Sequence, residues 1–135
     1  MMNDNFEHLE KDVMKMLLEG DDPTVVILRS QLKHSKRICT EMTGTGFFTY
    51  FKISPEALRL PNNVRLRFGD VSAEIEGIKH GAGFVLFVDD GILTTLEGFT
   101  YDEQWPEVIE SYKLTFMGKP CRDWNLLRKT PGWPA

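Results

Sequence analysis

The chain has 135 residues, with 16 Lys and Arg against 20 Asp and Glu, a formal net charge of −4, 41% hydrophobic and 11% aromatic content. That length suits one hydrophobic core, whereas two domains would each bury too little surface, so residues 1–135 are read as a single domain. The composition excludes disorder and fibrous repeats, the acidic balance argues against nucleic-acid binding, and no apolar run approaches the roughly 20 residues of a membrane-spanning helix.

Phe6, Leu9, Val13, Met16 and Leu17 recur at the three-and-four spacing of one helical stripe, with Asp4 and Asn5 as cap residues and Gly20 as the stop. Asp22-Pro23 then reads as an N-cap followed by a first-turn proline, opening a second helix that runs to Ser35 with Lys33, His34, Lys36 and Arg37 around its end. Residues 1–35 are therefore expected to form a helical hairpin.

From residue 37 the period changes to two, with candidate strands at 37–42, 46–53, 63–68, 71–78, 83–89, 92–99 and 112–117. Connections this short exclude parallel crossovers, so residues 37–117 predict a mainly antiparallel sheet of about six strands. The fold class is α+β, with the helical hairpin packed on the sheet. Gly69-Asp70 suggests a type II′ hairpin pairing Phe68 with Val71, Leu66 with Ala73 and Val64 with Ile75. In that register Arg65 and Arg67 point to solvent, opposite Glu74 and Ser72. Asp90-Gly91 suggests a type I′ turn between Phe84–Val88 and Ile92–Leu96. The first of these strands is apolar on both faces, which makes it central and calls for cover on both sides of the sheet, from the C-terminal segment or a second subunit. A short helical piece is expected near Pro106. Residues 118–135 form a C-terminal tail, with a short helix at Trp124–Arg128 and a closing segment that is mobile unless it docks.

Charge is segregated along the chain: residues 1–28 carry −5, 29–67 carry +6, 69–110 carry −9 and 111–135 carry +4. No motif fixes a reaction. The histidines His8, His34 and His80 lack metal-ligand spacing, and Asp89-Asp90-Gly91 does not continue into a calcium loop. Neither a phosphate-binding glycine loop nor a Gly-x-Ser-x-Gly elbow occurs. No catalytic residue, metal or cofactor is assigned. Cys39 and Cys121 are too few for a disulfide scaffold and are expected to be buried thiols, and the first twelve residues lack the apolar core of a secretory signal, so a cytoplasmic location is expected.

The clearest candidate surface is the acidic and aromatic stretch of Asp89, Asp90, Glu97, Tyr101, Asp102, Glu103 and Trp105, with Phe99 and Glu107 alongside. Tyr and Trp anchor interfaces and the carboxylates would steer a basic protein partner, although Trp105 also suits core packing. The alternative is a small-molecule site or enzyme with Glu74, Glu76 and His80 in a pocket between sheet and helices, sharing a face with Glu97. A homodimer through the sheet is compatible with either.

The block Gly77 to Pro106, GIKHGAGFVLFVDDGILTTLEGFTYDEQWP, resembles small uncharacterised bacterial proteins that share its Gly-Phe-x-Leu-Phe, Asp-Gly, Leu-Glu-Gly-Phe-Thr and Trp-Pro pattern. The resemblance covers about a quarter of the chain. It implies a cytosolic single domain without an assigned reaction, in some cases an immunity partner of a toxin, and it carries no catalytic residue. The expectation is a non-enzymatic binding protein, with no membrane or nucleic-acid partner.

Overall fold

The computed structural model describes residues 4–135. Two helices, α1 (Asp4–Leu17) and α2 (Pro23–Lys33), precede seven strands: β1 (Ser35–Met42), β2 (Gly46–Ile53), β3 (Leu66–Phe68), β4 (Ser72–Ile75), β5 (Ala82–Asp89), β6 (Ile92–Thr100) and β7 (Tyr112–Thr115). A short helix, α3 (Trp124–Leu127), lies in the tail. The α+β order is as expected, with seven strands rather than about six.

Phe6, Leu9, Val13 and Leu17 of α1 are buried, as their spacing demands. Asn5 lies inside this helix instead of capping it, and its side-chain amide donates to the Ile109 carbonyl at 2.7 Å. Asp22 caps α2, its Oδ1 accepting the Thr24 N–H at 2.9 Å. The helix stops at Lys33, before the predicted Ser35, because Ser35 already belongs to β1 and its hydroxyl turns back to the Leu32 carbonyl.

The sheet is antiparallel in the order β1-β2-β6-β5-β4-β7, with β3 also paired to β5. β5 is central, as its two apolar faces predict. Asp89 pairs with Ile92, leaving Asp90 (φ 53°) and Gly91 (φ 73°) as a two-residue turn of the expected left-handed kind.

The predicted hairpin at Gly69-Asp70 does not form. Leu66, Arg67 and Phe68 oppose Val88, Phe87 and Leu86, while Ser72 and Ala73 oppose Gly83 and Ala82. Both segments run in one direction along one edge of β5. From Phe68 to Ser72 the chain takes four steps while β5 takes three, so one extra residue is accommodated as a β-bulge within an interrupted strand. Gly69 is required there, since a Cβ would overlap the Phe84 carbonyl oxygen. Bulge and hairpin turn alternation by the same amount, so Leu66, Phe68, Val71, Ala73 and Ile75 are all buried as expected. Arg65 and Arg67 do point outward, but both reach Asp89, at 3.5 and 3.0 Å, rather than Glu74 and Ser72. Those two residues oppose Lys113 and Thr115 of β7 instead.

One face of the sheet is filled. Phe47, Phe84, Leu86, Val88, Leu93 and Leu96 meet α1 and α2 in the main core. Gln31, fully buried on α2, donates to the Leu58 and Gly91 carbonyls and accepts the Leu93 N–H, tying the loop after β2 and the β5–β6 turn to the helices. One expectation fails after β6. No helix forms near Pro106; the Trp105 N–H donates to the Gly44 carbonyl at 2.8 Å, and this bond carries the indole across the sheet end into the core. The tail docks on the helical side: Trp133 stands edge-on to Phe68 at 5.3 Å. Arg122 binds both Asp70 oxygens at 2.8 Å and donates to the Leu17 and Glu19 carbonyls at the end of α1. Cys39 and Cys121 are exposed, not buried, because each sits at an edge of the fold. Among the described residues no helix is long and apolar enough to cross a membrane.

Candidate functional site

Alternation gives the sheet a second face. Phe48 and Tyr50 of β2, Val85 and Phe87 of β5, Thr95, Glu97 and Phe99 of β6 and Arg67 of β3 all point away from the helices. The helices and the tail pack on the other side, and these rings remain half-buried. They touch one another. Phe48 stacks on Tyr50 at 6.5 Å and meets Phe87 edge-on at 6.3 Å across β6. Phe99 meets Tyr101 edge-on at 5.5 Å, and the Arg67 guanidinium lies 4.4 Å above the Phe87 ring while holding Asp89.

Glu97 stands at the centre of this face. Its direct cross-strand neighbours are Phe48 on one side and Val85 on the other, and Phe99 follows two residues on. Loss of water against this apolar wall pushes its carboxyl above the ordinary glutamate range. No cation pairs with it among the described residues. Of the neighbouring acids, Asp89 is paired by Arg65 and Arg67, and Glu41 accepts a hydrogen bond from the Tyr50 hydroxyl.

The candidate residues therefore divide. Asp89 and Asp90 lie at one end of β6, Asp90 pairing with Arg59 at 3.1 Å. Tyr101, Asp102 and Glu103 lie at the other end, roughly 30 Å away for a nine-residue strand. They are not one patch. Glu103 accepts the backbone N–H groups of Lys79 and His80, which hold its carboxyl below the usual range and fasten the 77–81 loop to the end of β6. Asp102, at φ 57°, is a turn residue. Trp105 leaves the candidate surface, being 7% exposed and packed edge-on to Phe47 and Phe6 at 5.2 and 6.3 Å. Glu97 and Tyr101 stay on the aromatic face. Phe48, Tyr50 and Phe87 were not among the sequence candidates, although aromatic residues at successive positions of β2 already required two apolar faces.

The alternative residues Glu74, Glu76 and His80 do come together, around an open groove of about 880 Å³ that Lys79, Tyr101 and Tyr112 also line. Glu97 is not part of it, so the four do not share one pocket. Glu74, Glu76 and His80 are exposed, Glu76 accepts from Ser111, and no hydrogen bond joins the histidine to either carboxylate. The groove lies at the β4–β7 edge of the sheet and not between sheet and helices. Among the described residues no cluster of His, Cys, Asp and Glu has metal-site geometry.

Comparison with family models, with curated proteins and with solved structures yields no match, so the site is read from its own chemistry.

Proposed function

We propose that this is a non-enzymatic protein-binding domain whose recognition surface is the open aromatic face of the sheet, and that its partner presents a Lys or Arg to Glu97. One observation carries the reading: a carboxylate without a cation among the described residues, set among Phe48, Val85 and Phe99 on the sheet face away from the helices. An isolated charge against apolar groups is costly, and a cation delivered by a partner removes the cost while the rings supply contact area. A second copy is the poorer occupant. A two-fold dimer centred on this face would bring Glu97 against its own mate and bury two like charges. Catalysis is disfavoured because Glu74, Glu76 and His80 are spread on the rim of an open groove. A cytoplasmic, immunity-like role, blocking a basic protein, is the form the resemblance of the Gly77–Pro106 block implies.

The test is capture from native extract with the wild-type chain, Glu97→Lys and Phe87→Ser, followed by titration of the purified, identified partner. Glu97→Lys should weaken binding by about 2 kcal/mol or more, some thirtyfold in Kd. A partner held equally by all three chains overturns the proposal, as does a shift of the wild-type chain to a dimer that both substitutions dissolve.

A further inference from the structure

A second surface lies on the opposite side of the molecule and has the reverse chemistry. Between α1, α2 and the β1–β2 edge lies a cleft of about 470 Å³, with Met14, Leu18, Leu32 and Phe51 as its walls. Met14 and Leu18 are buried, while Leu32 and Phe51 are half-buried, so the cleft is an opening into the apolar interior. Around it stand Lys11, Lys15, Arg29, Lys33 and Arg37, five of the 16 basic residues of an acidic chain.

Among the described residues, only one of the five has an ion pair. Arg37 pairs with Glu10 at 2.6 Å, and Glu10 also accepts from the Thr49 hydroxyl, which consumes the carboxylate that reaches the cleft. Arg29 donates to the Leu18 and Gly20 carbonyls, which fixes its position without cancelling its charge. Lys11, Lys15 and Lys33 have no ion pair among the described residues and are exposed. Lys11 and Lys15 are one helical turn apart on α1, and Lys33 ends α2, so the ammonium groups flank the opening from both helices.

We propose that this cleft binds an anionic amphiphile, a single aliphatic chain entering between Met14, Leu18, Leu32 and Phe51 with its carboxylate held by the lysine rim. The cleft has the size of small-molecule sites, its walls are aliphatic save for one ring, and they offer no pattern of polar groups for a sugar or nucleotide. Charge complementarity selects the anionic head. The occupant is a free fatty-acid-like molecule rather than a bilayer, because the opening is a recess between two helices and not a protruding apolar surface.

The experiment is a calorimetric titration of the full chain with decanoate below its micelle concentration, beside decanol and decyltrimethylammonium. Saturable one-to-one binding is expected, with decanoate about fivefold tighter than decanol, the modest gain that three exposed ammonium groups supply. The triple substitution Lys11→Glu, Lys15→Glu, Lys33→Glu, on surface positions, should abolish the preference for decanoate. Leu32→Trp, filling the cleft, should abolish binding of both, with circular dichroism verifying its fold. Equal affinity for all three amphiphiles, absence of saturation, or decanoate binding that survives the charge reversal overturns the proposal. Failure here leaves the aromatic sheet face untouched, because no residue is common to the two surfaces.

Discussion

Two glutamates on opposite faces of the same sheet are treated in opposite ways. Glu10 is 5% exposed on the helical side and is fully matched, with Arg37 Nε at 2.6 Å and the Thr49 hydroxyl at 2.6 Å, itself linked to Thr40. Glu97, on the outer side, is less buried, has apolar neighbours and lacks a cation among the described residues. A carboxylate buried for the sake of the fold must be neutralised by the fold. Glu97 is left unmatched in an apolar setting among the described residues, and that contrast is what the proposed binding role rests on.

The sharpest way to break the comparison uses two adjacent residues. Phe47 and Phe48 differ by one position and point to opposite faces; Phe47 is fully buried against Phe6, Phe84 and Trp105, whereas Phe48 is half-buried on the open side. Urea denaturation should show Phe47→Ala costing about 3–5 kcal/mol and Phe48→Ala about 1 kcal/mol. Equal costs would mean that the outer face is as closed as the inner one.

The next largest effect belongs to the paired acid. Arg37→Met leaves Glu10 buried with only Thr49 to bond it. Breaking such a pair costs about 3–5 kcal/mol when both members are enclosed, and because Arg37 is about a third exposed the expected loss is about 2 kcal/mol. A melt indistinguishable from wild type would show Glu10 to be as tolerant of solitude as Glu97.

Much of this architecture was legible in the sequence, for definite reasons. The helical stripe of α1, the Asp22-Pro23 start of α2 and the Asp90-Gly91 turn are local signals, decided by residues a few positions apart. The step between β3 and β4 was not legible. A two-residue turn and a one-residue bulge both move the inward positions from Phe68 to Val71, so the buried pattern is the same and only the partner strand differs. The site was legible in part. Glu97 and Tyr101 were singled out, but as members of an acidic stretch whose two ends lie on opposite sides of the molecule. The cross-strand neighbours of Glu97, Phe48 and Val85, come from β2 and β5, and their meeting is a product of sheet order, which pattern alone does not encode. The two-sided apolar character of β5 did signal a second face in need of cover.

The smallest effect sharpens the comparison most, because stability and binding should move in opposite directions. Burial raises the Glu97 carboxyl above its reference value of 4.5, so the folded chain holds this proton more tightly than the unfolded chain does. The sign follows: below pH 4.5 the residue is neutral in both states and contributes no penalty, and stability falls as pH rises through the window from 4.5 to the raised value. Glu97→Gln removes that loss. Paired urea titrations should give coincident midpoints at pH 4 and a slightly higher midpoint for the variant at pH 7, while the variant binds the cationic partner more weakly at pH 7. The wild-type complex should weaken as acid protonates Glu97, since a neutral carboxyl offers the incoming cation no charge. A variant destabilised at pH 7 would place an unseen partner for Glu97 inside the fold and move it to the same category as Glu10. A stabilised variant that has lost its partner is the behaviour of a residue kept for recognition at a small expense in folding.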